Sequence, residues 1–112
     1  MDCVFCKIAD GKIPSQILHQ DNEVVAFPDI NPVAPVHILV IPKKHIPALT
    51  DVTKADLPII GKMVGVANQL AKEKGIFESG YRLVMNCGKD AGQLVPHLHI
   101  HLIGGRKLAW VN

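Results

Sequence analysis

The sequence has no apolar run near membrane length, no strong excess of either charge, no internal repeat and no even set of cysteines. Each absence excludes something. The longest aliphatic run, Ile38 to Ile41, falls far short of the ~20 residues of a spanning helix, so no membrane partner is expected. Met1-Asp2-Cys3-Val4-Phe5-Cys6-Lys7 lacks the apolar stretch of a secretory signal, which sets the expectation of an unprocessed, cytoplasmic chain. Twelve basic against ten acidic side chains leave a formal charge of +2, too little for a protein that lives on nucleic acid, and a small anion fits better. Three cysteines, two of them in Cys3-x-x-Cys6, suit metal binding or free thiols rather than a disulfide framework. With 112 residues, 48% of them hydrophobic, and no linker, residues 1–112 are expected to form one domain.

Glycine and proline punctuate what remains. Gln16 to His19 and Val24 to Phe27 read as strands around a turn at Gln20-Asp21-Asn22-Glu23. The prolines of Asp29 to Pro35 make a loop, because proline cannot donate to a ladder, and Val36 to Ile41 follows as a buried strand ended by Pro42. From Leu57 to Lys74 the apolar residues Ile60, Met63, Val64, Ala67, Leu70 and Ala71 recur at three- and four-residue steps, which predicts one long helix. Its start carries two competing signals, a capping box of Thr53 with Asp56 and a first-turn Pro58; Gly75 marks its stop. Tyr81 to Asn86 and Leu98 to Ile103 complete the strands, giving an α+β fold of sheet and helix.

Three of the six histidines alternate in His97-Leu98-His99-Ile100-His101. On a strand this spacing sends all three imidazoles to one face and Leu98, Ile100 and Leu102 to the other. An imidazole with a pKa near ~6.5 offers a neutral nucleophile and a proton donor at the same pH, so one histidine can attack phosphorus while another protonates the leaving group. The spacing equally suits a three-histidine zinc site, or incidental histidines on a surface strand, and alone does not choose.

The run from Gly92 to Arg106, with Phe5-Cys6-Lys7-Ile8, Ala26 to Ile30, His37 to Ile46 and Asn86 in order before it, resembles the histidine-triad superfamily, in its histidine-triad nucleotide-binding branch. The resemblance covers nearly the whole chain. It implies a five-stranded antiparallel sheet with one long helix and a short N-terminal helix, continued across a homodimer. It implies hydrolysis of purine nucleoside 5′-monophosphoramidates, such as AMP linked to an amine, through an AMP-histidine intermediate on His99. His101 would contact the phosphate and assist the leaving group, and His37 would buttress them. Asp29 would accept from the ribose hydroxyls, while Phe5, Ile8, Phe27 and Ile30 would hold the purine. Asn86, Gly92, Gln93 and Leu94 would form the phosphate-side loop. Leu94 departs from the Ser or Thr usual at that place, which removes a hydroxyl donor near the leaving group.

Some relatives complete a zinc site from residues matching Cys3, Cys6, His45 and His97. Four protein ligands would make such zinc structural, and no organic cofactor is implied. Cleavage of dinucleoside polyphosphates and a regulatory adaptor with vestigial hydrolysis stand as alternatives. Tyr81 to Asn86 is the expected edge of the dimer, and the tail Lys107 to Asn112, with Trp110, resembles a segment that approaches a partner's site.

Overall fold

The structure is a computed structural model, and it describes residues 3–110. Met1, Asp2 and the end of the tail, Val111 and Asn112, lie outside the described residues. The element order is α1 (Val4–Ala9), β1 (His19–Gln20), β2 (Val24–Pro28), β3 (Val36–Pro42), α2 (Leu57–Glu73), β4 (Tyr81–Val84) and β5 (Ile100–Gly104). The strands form one antiparallel sheet in the order β1-β2-β3-β5-β4, so the expected α+β class and strand count hold. Among the described residues no helix is long and apolar enough to cross a membrane.

Parity along the strands decides what each face does. Val24, Ala26, Ile38, Val40, Leu98, Ile100 and Leu102 pack with Met63, Ala67, Leu70 and Ala71 of α2 in the larger core. Val25, Phe27, Leu39 and Ile41 point the other way, under Cys3, Phe5 and Ala9 at the N-terminus. Each large aliphatic or aromatic side chain buried in this way contributes about 1.5–3 kcal/mol. In the register of β3 with β5, Leu39 stands opposite His101. The face away from α2 therefore carries the histidines.

Both start signals of α2 are used, one after the other. Thr53 and Asp56 close a capping box around the 3-10 turn Lys54–Asp56, and Pro58 then occupies the first turn of the α-helix. Gly75, at φ 75°, ends it in the left-handed region that glycine enters without strain. The β1–β2 turn works differently from a glycine turn. Asp21 Oδ1 accepts from the N–H groups of Glu23 (2.7 Å) and Val24 (2.9 Å), and no described residue other than glycine has positive φ.

Three boundaries differ from the sequence reading by two residues or more. β1 is confined to His19–Gln20, and β4 ends at Val84 rather than Asn86. β5 begins at Ile100, so His97, Leu98 and His99 precede the ladder. The cause is local and long-range together: His97 lies in a bend after Pro96, its N–H bonded to Val95 O (2.8 Å), and the Leu98 N–H goes to Ile46 O (2.7 Å). The alternation of side chains survives without strand pairing.

Candidate active site

A cavity of about 470 Å³ opens on the histidine face. One wall comes from α1 and β2, with Phe5 and Ile8 beside Phe27; the Phe5 and Phe27 rings meet edge to face at 5.5 Å. Asp29 and Ile30, just past β2, line the cavity, and Asn86, Gly92, Leu94 and Val95 come from the loop between β4 and β5. His99 and His101 line it as well, their ring centroids 4.9 Å apart. The structure thus gathers Phe5, Ile8, Phe27, Asp29, Ile30, Asn86, Gly92, Leu94, His99 and His101 around one space.

The hydrogen bonds assign the ring protons. His99 Nδ1 lies 2.6 Å from the carbonyl oxygen of His97; a carbonyl only accepts, so Nδ1–H donates and Nε2 keeps a free lone pair. Phe5 packs edge-on against the His99 ring at 5.2 Å and limits its rotation. His37, buried in β3, accepts the Val33 N–H at Nδ1 (3.1 Å), so its neutral ring carries the proton on Nε2. That Nε2–H faces His101 Nδ1 at 2.9 Å, which leaves the His101 proton on Nε2. Burial, and then the neighbouring His99 and His37, push the His101 pKa down to about 4. His101 is therefore a neutral N–H donor near pH 7. Asp29 holds its loop by accepting the Asn31 N–H at 2.8 Å, and its second oxygen stands 3.4 Å from His37 Nε2.

Gln93 sits in the loop between β4 and β5, flanked by Gly92 and Leu94. It does not line the cavity: its Nε2 donates to Pro47 O (2.7 Å) and Val95 O (3.1 Å), its Oε1 accepts the Gly88 N–H (2.9 Å), and its own N–H goes to Gly88 O (3.1 Å). Its side-chain amide and its backbone N–H are all spent bracing the loop. The Gly92 N–H is likewise spent on Lys89 O (3.0 Å), so it does not face an anion. Ile30 also differs from expectation, since at 91% exposure it stands at the rim of the cavity rather than in an enclosed slot; Leu94 is equally exposed. Leu39, Ile13, Pro14, Ser15 and Asn31 line the cavity without having been singled out from sequence. Leu39 was accessible through its parity with His37, whereas the Ile13-Pro14-Ser15 loop carries no periodic signal.

His97 does not share this cavity. Its fully buried ring donates from Nε2 to Pro42 O (2.8 Å), which leaves Nδ1 bare. Nδ1 points at Cys3 Sγ (3.3 Å), Cys6 Sγ (3.5 Å) and His45 Nδ1 (3.1 Å), and Cys6 Sγ lies 3.3 Å from His45 Nδ1. A tetrahedral site with bonds of about 2.0–2.1 Å to nitrogen and about 2.3 Å to sulfur has edges of about 3.3–3.8 Å, close to these separations. Without a cation, burial and the Cys3 sulfur push the Cys6 thiol up to about 11, and burial lowers His97. The bare Nδ1 of His97, the Nδ1 of His45 and two sulfurs converging in a half-buried place fit a soft divalent cation. The same test fails for Asp29, His37 and His101, whose ligand atoms also lie within 4.8 Å of one another. There His37 Nε2 must keep its proton because Nδ1 is already an acceptor.

Known proteins share this fold and much of this sequence. The family described as "Scavenger mRNA decapping enzyme C-term binding" matches residues 2–109. The chain is 48% identical over 107 residues to a purine nucleoside phosphoramidase of Escherichia coli, covering 96% of this chain and 90% of that protein. It superposes on a HIT family hydrolase of Legionella pneumophila with a TM-score of 0.96, at 46% identity and 97% coverage of each chain. A zinc-bound histidine triad family protein of Mycobacterium smegmatis matches with a TM-score of 0.81, at 34% identity, over 95% of this chain and 76% of that one.

Proposed function

The chain belongs to the histidine-triad family, and on that premise we propose that it hydrolyses purine nucleoside 5′-monophosphoramidates by way of a nucleotidyl-histidine on His99. The observation that carries this reading is the 2.6 Å bond from His99 Nδ1 to the His97 carbonyl, which leaves Nε2 as a nucleophile in the cavity.

The purine lies against Phe5, Ile8 and Phe27, and the carboxylate of Asp29 accepts from the ribose hydroxyls. His99 Nε2 attacks the α-phosphorus; a P–N bond to histidine forms as the P–N bond to the amine breaks. The Nε2–H of His101 holds the departing nitrogen by a hydrogen bond while that nitrogen takes a proton from water and leaves as the free amine; the hydroxide so formed cleaves the phosphohistidine, releasing AMP and returning His99 to its neutral form. Leu94 offers no hydroxyl here. Among the described residues its backbone N–H has no protein partner, and it is the donor the loop presents to phosphate oxygens.

The Cys3, Cys6, His45 and His97 set holds a structural zinc ion in this reading, supported by the donor geometry and by the zinc-bound relative. Zinc would neutralise the two thiolates and pin the N-terminal segment to the residues preceding β5. Free thiols suit a reducing compartment, the cytoplasm. β4 is the outermost strand beside β5, and its open edge is where a second copy would extend the sheet into a homodimer. The reaction class is tested by comparing turnover of an AMP-amine with that of a diadenosine polyphosphate. The amine conjugate should be cleaved far faster; turnover of the dinucleotide alone would replace this reading with the polyphosphate one.

A further inference from the structure

The tautomer of His37 is set from outside the cavity. Its Nδ1 accepts from the Val33 peptide N–H at 3.1 Å, in the proline-bounded loop between β2 and β3. The carbonyl of that same residue, Val33 O, accepts from Arg106 Nη2 at 2.8 Å, and Arg106 Nη1 donates to Lys107 O at 3.0 Å. Gly105 brings the two segments together. It has φ 95°, and a Cβ there would stand 2.9 Å from Pro35 Cβ, so only glycine lets the chain after β5 lie this close to the loop. Residues 33–35 are thus gripped on one side by the chain that leaves β5 and on the other by His37.

We propose that Arg106 and the Val33 peptide form a clamp that fixes His37 in its Nε2–H tautomer, and so orients His101 as an Nε2–H donor; Arg106 is a positioning residue for catalysis. The argument rests on the catalytic role given above to His101. A backbone N–H can only donate, so while it faces His37 Nδ1 that nitrogen is an acceptor. If the loop swings away, His37 is free to place its proton on Nδ1. Its Nε2 then becomes an acceptor, His101 turns its proton inward from Nδ1, and the nitrogen facing the cavity has nothing to give. Arg106 itself is exposed and does not line the cavity. Its effect belongs in kcat rather than in KM.

The test uses the full chain labelled with 15N-histidine, in which long-range proton–nitrogen correlations report the tautomer of each ring, alongside kinetics on an AMP-amine. The wild-type His37 should show a bare Nδ1 and a protonated Nε2. Arg106→Ala should mix the tautomers of His37 and His101 and lower kcat about fivefold at nearly constant KM, a loss on the scale of one exposed hydrogen bond. Arg106→Lys should recover part of it. Val33→Pro, which deletes the donor outright, should shift the tautomers further, and provides a second readout if Arg106→Ala folds poorly. A wild-type His37 protonated on Nδ1 would overturn the clamp, as would variants that lose activity with both tautomers unchanged. Failure of the wild type to cleave any AMP-amine would instead remove the catalytic reading, while the tautomer shifts would still judge the clamp.

Discussion

His97 and His99 divide one dipeptide step between two sites: the carbonyl of His97 holds His99 Nδ1 at 2.6 Å, while the His97 ring turns away toward Cys3, Cys6 and His45. The same residue serves the nucleophile with its backbone and a metal with its side chain. Whatever loosens the ring also loosens the carbonyl.

This coupling predicts a double effect of metal loss. Chelation, or Cys3→Ser with Cys6→Ser, should lower Tm by several degrees, because a buried histidine and two sulfurs lose their common partner. It should also reduce kcat several-fold without abolishing it. Thermal melts and kinetics with and without added zinc read both. Complete loss of turnover in a chain that stays folded would make the metal catalytic instead.

His101 makes stability depend on pH. Its folded pKa of about 4 lies below the unfolded value near 6.5, so the unfolded chain binds more protons between those limits. Its contribution is complete above pH ~6.5 and is lost as the pH falls toward 4. The groups around it, His99, His37 and Asp29, belong to the same network. Urea midpoints measured across that window should rise with pH, and His101→Gln should flatten the slope. An unchanged slope would contradict the buried, neutral ring.

Asp29 is placed to read the sugar. Asp29→Asn should raise KM for ribonucleotide substrates by about tenfold, the scale of one charge-assisted hydrogen bond, and have little effect on a 2′,3′-dideoxy analogue. Because Asp29 also stands 3.4 Å from His37 Nε2, a smaller fall in kcat should accompany it. Equal losses on both substrates would remove the ribose from its role.

Leu94 is the place to change activity without cost to the fold. At 91% exposure, Leu94→Ser should alter stability by no more than about 0.5 kcal/mol. The new hydroxyl should speed cleavage of conjugates of strongly basic amines, whose leaving groups need the most help, more than that of weakly basic ones. Turnover across an amine series checks this; a uniform change would show that the rim does not meet the leaving group.

How much of this was legible in the sequence follows from the range of the interactions. The histidine parity and the Gly75 stop are local patterns and appear as expected; the face of α2 does so at Met63, Ala67, Leu70 and Ala71, but Val64 is exposed and Val66 is buried in its place. The late start of β5 was hidden, because the Leu98 N–H is taken by Ile46, far back in the chain. The bracing bonds of Gln93 were hidden as well: they tie Gly88 of its own loop to Pro47, far back in the chain, and a glutamine beside a glycine looks the same whether it faces a ligand or a neighbouring backbone. The Cys3-x-x-Cys6 spacing announced half of the metal set, but its closure by His45 and His97 came from family likeness rather than from spacing.

The central claim is that His99 Nε2 forms the covalent bond to phosphorus. Rapid acid-free quenching of the protein with an AMP phosphoramidate, followed by peptide mass spectrometry, tests it directly. The account predicts AMP on the peptide containing His99, localised to that residue and absent in His99→Asn. An adduct on His101 or His37, or rapid turnover by His99→Asn, would contradict it.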